Sequence, residues 1–181
     1  MYHREKLLVE SRNDYWNNSL VTYLPFMPID FDLANNEKTI DIMSASRPSI
    51  QKVDTTLENL VEHRFDLEIQ RPQSNTWEEY YKNLQSSKIL LITAFEDTFG
   101  YQIVDAIEND CIPLARNDFA YPELLPREYL YNSFEELEYL IESILGRDEL
   151  PVPELLCRKQ MLIFYDIICE EMKGEGIQYP F

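Results

Sequence analysis

Apolar residues recur along this chain in two alternating rhythms. From Lys38 onward, short apolar runs are separated by stretches in which apolar positions fall three or four apart. These are the signatures of buried strands and of amphipathic helices. The runs TIDIMSA (Thr39 to Ala45), FDLEI (Phe65 to Ile69), KILLIT (Lys88 to Thr93) and CIPLA (Cys111 to Ala115) read as strands. Asp54 can cap a helix that carries Leu57, Leu60 and Val61 at helical spacing. Thr76 and Glu79 form a capping box ahead of a helix to about Ser86, whose aromatic face is Trp77, Tyr80 and Tyr81. A helix opening at Gly100 buries Ile103, Ala106 and Ile107. Ser133 and Glu136 box the start of another, which runs to the stop signal at Gly146.

Alternating strands and helices predict an α/β fold, because parallel strands need crossover connections. The expected architecture is a Rossmann-like, doubly wound parallel sheet over residues 38–150, with helices on both faces. Residues 1–37 are irregular, with one short strand candidate at Leu20 to Leu24, and read as a leading segment or linker. Residues 151–181 predict a C-terminal helix, Glu154 to Lys173, followed by a tail. Its apolar girth exceeds what a sheet edge requires, so a second copy or a partner chain is expected to cover residues 155–168.

Composition narrows the function. Sixteen basic against 33 acidic residues give a net charge of −17, which opposes a direct grip on nucleic acid or an anionic membrane. Cys111, Cys157 and Cys169 are odd in number and lack metal-ligand spacing, the pattern of free thiols in a reducing compartment. The charged N-terminus is no signal peptide, and no apolar run approaches the roughly 20 residues needed to span a bilayer. A cytoplasmic location is expected. His3 and His63 have no neighbours that would complete a zinc site or a nucleophilic triad.

Open α/β sheets bind ligands beyond the carboxyl ends of their strands. The loops in question are Ser46 to Val53, Thr93 to Gly100 and Arg116 to Glu123. In the first, Arg47 and Lys52 could neutralise a diphosphate. In the second, Gly100 opens a helix whose free amides and dipole favour an anion. Asp97 precedes that helix, and Asp105, one and a half turns into it, could accept hydrogen bonds from a ribose diol. Each feature also has a plain explanation: solvated charge, steric relief at a glycine, or an acid complementing a helix dipole. Trp77, Tyr80 and Tyr81 read more readily as core than as a stacking platform, and YPELLP as a tight turn entering a short helix.

Taken in order along the chain, these residues resemble the C-terminal, donor-binding domain of GT-B-fold retaining glycosyltransferases of family-four type. That family carries two glutamates with seven residues between them, Phe-Gly among these; DTFGYQIVD supplies Asp97, Phe99, Gly100 and Asp105 at those positions. Arg47 and Lys52 match its Arg, four residues, Lys signature. The stretch CIPLARNDFAYPELLPREYLY is similar to its Pro-Glu segment, in particular to the tRNA-queuosine mannosyltransferase branch and to phage DNA-base glycosyltransferases. The likeness spans roughly Tyr23 to Leu145.

The resemblance implies that Arg47 and Lys52 bind the donor diphosphate and stabilise leaving-group charge. It implies that Asp97 contacts sugar hydroxyls, that the Phe99 and Gly100 backbone lies against sugar and phosphate, and that Asp105 holds the ribose. Glu123 would lie near the donor. No metal or other cofactor is implied; the nucleoside-diphosphate sugar is substrate, and the acceptor could be a nucleic-acid base. Three features depart from the family pattern: both glutamates are aspartates here, Asp110 stands where glycine is usual, and the loop before Arg47 lacks glycine. No segment before residue 38 is long enough for the family's acceptor domain. Two readings therefore follow: the donor half of a glycosyltransferase, or a non-catalytic nucleotide-sugar-binding or protein-interaction domain derived from one.

Overall fold

The computed structural model describes residues 37–45, 49, 51–97, 99–146 and 151–156. Four strands, β1 (Ile40–Met43), β2 (Ser87–Ile92), β3 (Ile112–Arg116) and β4 (Leu130–Tyr131), form one sheet in the order β1-β2-β3-β4. Every pairing is parallel, with Met43 opposite Leu90, Leu91 opposite Leu114, and Arg116 opposite Tyr131. The helices are α1 (Thr55–Phe65), α2 (Trp77–Gln85), α3 (Tyr101–Glu108), α4 (Tyr121–Leu124) and α5 (Phe134–Gly146). This is the Rossmann-like α/β arrangement the alternation predicts.

The expected strand FDLEI does not form. Helix α1 runs through Phe65 and ends on Asp66 in the left-handed region, φ 50°. The Ile69 amide, instead of joining a ladder, donates to the Glu62 carboxylate at 3.0 Å. Only a single parallel bridge survives, between Gln70 and Met43. Pro72, which has no amide to donate, follows two residues later.

That one bridge still locates the reversal of winding. Gln70 donates to Ile42 O, and its own carbonyl accepts from Ser44 N, both at 2.9 Å. It therefore occupies the free edge of β1, and the chain must return across β1 to form β2 on the other side. Right-handed crossovers place α1 and α2 on opposite faces when the direction reverses in this way. The side chains agree: Arg64 of α1 pairs with Glu138 and Glu142 of α5. On the other face, Tyr80 and Tyr81 of α2 bond Asp105 of α3.

The core lies on both sides of β2. Ile89, Leu90, Leu91 and Ile92 are all fully buried, and each such side chain contributes about 1.5–3 kcal/mol by leaving water. The capping signals are realised. Asp54 accepts from Leu57 N at 3.0 Å, Thr76 from Glu79 N at 3.1 Å, and Ser133 from Glu136 N at 3.3 Å. Cys111 is buried, and loss of solvent pushes its thiol pKa up to about 12, the behaviour of a packed hydrophobe.

The buried stripe of α1 differs from expectation. Leu60 is exposed, whereas Glu58 is fully buried. Its carboxylate is compensated on every side: Ser44 and Thr93 hydroxyls donate to Oε1 at 2.8 and 3.2 Å, and Arg71 donates twice to Oε2. The hydrogen bonds permit a charge where the period alone predicts an apolar residue.

The strand candidate at residues 20–24 lies outside the described residues, as do residues 157–173 of the expected C-terminal helix; 154–156, the described part of it, are not helical. Of that last segment, Leu155 is buried in the core cluster and Leu156 is exposed.

Candidate functional site

A cavity of about 700 Å³ opens at the reversal point, beyond the carboxyl ends of β1 and β2. Lys52, Asp97, Phe99 and Asp105 line it. Arg47 lies outside the described residues. The loops after β1 and β2 are laced together, because the Gln51 carbonyl accepts from both Phe95 N, at 2.9 Å, and Glu96 N, at 3.1 Å. Lys52 is thereby fixed over the second loop, where its ammonium donates to the Glu96 carbonyl.

Gly100 is the N-cap of α3 with φ 66°. A Cβ there would lie 2.6 Å from Leu124 Cδ1 and 3.4 Å from Tyr121 Cδ1. Backbone conformation and close packing therefore both require glycine at this position. The amides at this helix mouth are engaged by the protein itself. Asp97 Oδ1 accepts from Phe99 N at 3.3 Å and Gly100 N at 3.4 Å, and Lys52 Nζ stands 4.0 Å from the same oxygen. Asp97 Oδ2 accepts from the Tyr121 hydroxyl at 3.0 Å. The cation and the glycine amide thus converge, with Asp97 between them.

Asp105 sits deeper, 6% exposed. Tyr81 donates to Oδ1 at 3.1 Å and Tyr80 to Oδ2 at 3.3 Å. Burial raises its carboxyl pKa to about 6, and the two phenolic donors oppose that rise. Burial likewise raises the Tyr80 phenol far above its usual value, with the charge of Asp105 adding to the effect. Tyr80 is therefore a protonated donor at any physiological pH.

The aromatic trio of α2 divides between two roles. Tyr81 is in the core, as expected, but Trp77 is 58% exposed at the cavity rim. Trp77 occupies the first turn of α2, at the end where the strands terminate, whereas Tyr81 lies one turn further down against the sheet. On the opposite wall, Phe99 and Tyr101 stack with centroids 5.2 Å apart and planes at 7°.

Beneath the loops runs a polar belt that hydrophobic periodicity does not announce. The Thr93 hydroxyl accepts from Asp54 N at 3.0 Å and donates to Glu58. Asp54 in turn pairs with Arg116, whose guanidinium lies 4.9 Å above the Phe95 ring. Side chains from the ends of β1, β2 and β3 are joined through it. The capping aspartate was the only signal of this belt in the sequence; Glu58, Arg71 and Arg116 gave none. Glu123 takes the first turn of α4 and does not line the cavity. YPELLP forms the short helix expected of it.

The chain is 40% identical over 60 residues to the tRNA-queuosine alpha-mannosyltransferase of Drosophila melanogaster. The match covers 33% of this chain and 16% of that protein. No protein-family model and no solved structure matches the chain.

Among the described residues, no group of three or more His, Cys, Asp or Glu side chains could hold a metal ion. No helix among them is long and apolar enough to cross a membrane.

Proposed function

We propose that the domain binds the nucleoside-diphosphate sugar of a glycosyltransferase, in the cavity between the loops after β1 and β2. The observation that carries this reading is the assembly of Lys52, Asp97, Phe99 and Asp105 around one cavity at the reversal of winding. Lys52, joined by Arg47 from the same loop, neutralises the diphosphate. The Phe99 and Gly100 amides turn from Asp97 to the ligand, which frees the Asp97 carboxylate for sugar hydroxyls. Asp105 takes the ribose diol.

In sugar transfer, negative charge builds on the departing phosphate oxygen. Fixed positive groups stabilise that charge more in the transition state than in the ground state. Transfer to an acceptor, possible nucleic-acid bases included, requires a second wall to the cleft, from another domain or a partner chain. Such a partner would also cover residues 156–168, Leu155 being packed in the domain's own core. The donor chemistry needs no metal.

One observation favours a second reading, a nucleotide-sugar-binding domain without transfer. Asp97 already occupies the Phe99 and Gly100 amides at the mouth of α3, 4.0 Å from Lys52, so a phosphate bound there must displace a carboxylate. Thermal unfolding with a panel of UDP- and GDP-sugars tests binding. A rise in melting temperature that Lys52→Ala abolishes supports the site; no rise with any of them removes it. Release of free nucleoside diphosphate in the presence of an acceptor separates transfer from binding alone.

A further inference from the structure

The proposed ribose contact has a feature that the pattern of two spaced acids does not contain. Asp105 is held by two phenols from one helix, and the two divide the carboxylate between them. Tyr81, buried, takes Oδ1 from the core side; Tyr80, which lines the cavity, takes Oδ2. A carboxylate oxygen has two acceptor directions. Among the described residues, each Asp105 oxygen uses one of them on a tyrosine, and the plane of the group is set by both.

We propose that Tyr80 and Tyr81 are positioning residues that orient Asp105 so that its remaining acceptor directions receive the vicinal hydroxyls of a ribose, making the site selective for ribonucleotides over 2′-deoxyribonucleotides. The proposal rests on the nucleotide reading above. Its chemistry is that of a buried acceptor pair: a ligand lacking one hydroxyl leaves one desolvated carboxylate direction unsatisfied, which costs more than the hydrogen bond gains. The backbone supports the same geometry. The Asp105 carbonyl accepts from the Asn109 side chain at 2.8 Å, anchoring this turn of α3. Contacts of Tyr80 with Trp77 and Tyr81, at centroid separations of 5.9 and 5.3 Å, hold its ring at the cavity wall.

Protonation gives the arrangement a readout that simple packing lacks. The titratable groups near the carboxylate are Tyr80 and Tyr81 of α2 and Cys111 ahead of β3, with Lys38 beyond Cys111. The Tyr80 phenol and the thiol are neutral near pH 6, so of the groups with shifted titration around it the carboxylate is the one that changes charge there. Once protonated, Asp105 loses acceptor capacity, and ribose selectivity falls as pH drops through about 6. Because the phenolic donors hold that pKa down, removing one moves the loss of selectivity to higher pH.

The test is calorimetric titration of the full chain with UDP and GDP and with their 2′-deoxy analogues, from pH 5 to pH 8. The wild-type chain is expected to prefer the ribonucleotide by about tenfold or more at pH 8. Tyr80→Phe and Tyr81→Phe should each bring that preference within about threefold, and shift its pH midpoint upward, while the diphosphate still binds. If Tyr81→Phe does not fold, Tyr80→Phe, at the cavity wall, decides the matter. Equal affinity for ribo and deoxy forms, or a preference untouched by folded Tyr80→Phe, overturns the proposal and leaves the nucleotide site standing. Failure of every nucleoside diphosphate to bind overturns both.

Discussion

The Tyr121 hydroxyl donates to Asp97 Oδ2 across 3.0 Å, tying the first turn of α4 to the acid that closes the mouth of α3. Burial and the charge of Asp97 together raise the Tyr121 phenol well above its ordinary value, so it remains a donor throughout the useful pH range. Tyr121→Phe removes this bond alone. Hydrogen bonds to charged groups contribute about 1.5–3 kcal/mol; water can replace part of this one, because the Asp97 side chain is 19% exposed. Unfolding in urea should therefore show a loss of about 1 kcal/mol.

Gly100 meets a double constraint, its φ of 66° and the 2.6 Å approach a Cβ would make to Leu124. The left-handed conformation costs an ordinary residue about 1–2 kcal/mol, and displacing a packed leucine adds about 1–3 kcal/mol. Gly100→Ala should lose about 2–4 kcal/mol in denaturant unfolding. Pairing it with Leu124→Ala should show non-additivity, because the smaller neighbour removes the clash and leaves only the backbone cost.

Asp105 makes stability depend on pH in an unusual direction. Its folded pKa of about 6 lies above the unfolded value of about 3.9. The folded state therefore binds this proton more tightly, and the contribution is fully present below about pH 4 and lost as pH rises through about 6. At neutral pH the buried charge costs on the order of 1–3 kcal/mol. Asp105→Asn should raise the melting temperature at pH 7 and flatten the pH dependence between 4 and 6. A variant less stable than the wild type at pH 7 would show that the two phenols more than offset burial.

Arg71 covers the fully buried Glu58 with two hydrogen bonds to Oε2, at 3.0 and 2.9 Å. Removing one partner of a buried pair strands the other charge, at about 3–5 kcal/mol. The Arg71 side chain is 45% exposed, so screening brings Arg71→Met to about 3 kcal/mol or less. Glu58→Gln in the same background should recover part of that loss, since a neutral amide still serves Ser44 and Thr93. Chemical denaturation of the single and double variants measures both.

The fold was legible in the sequence where one physical signal acted alone. KILLIT is apolar because β2 is covered on both faces, and the caps at Asp54, Thr76 and Ser133 are local chemistry that no distant residue overrides. The reading failed where a tertiary partner changed the meaning of a position. FDLEI has strand character, but Glu62 takes the Ile69 amide and Asp66 is spent ending α1. Leu60 has the period of a buried residue, but the stripe runs instead through Glu58, which Ser44, Thr93 and Arg71 neutralise. Asp110 adopts φ 55°, a left-handed conformation that glycine adopts most readily and aspartate tolerates.

The candidate site was legible as a set of residues and not as a geometry. Spacing singled out Arg47, Lys52, Asp97, Phe99, Gly100 and Asp105; Arg47 lies outside the described residues, and Lys52, Asp97, Phe99 and Asp105 line one cavity. Nothing in their order along the chain revealed that Asp97 would take the Phe99 and Gly100 amides ahead of α3, or that Tyr80, Tyr81 and Tyr121 would hold the two acids. Those contacts join α2 and α4 to the loop and helix after β2, and they exist only once the crossovers have brought those elements together.

Amide chemical-shift mapping of the isotope-labelled chain during titration with UDP, GDP and their sugar conjugates tests the central claim most directly. The account predicts the largest shifts at the Phe99 and Gly100 amides as they leave Asp97 for phosphate, with smaller ones at Lys52 and Asp105. Shifts confined to other surfaces, such as the hollow around Arg127 and Tyr139, or none at saturating nucleotide, would contradict it.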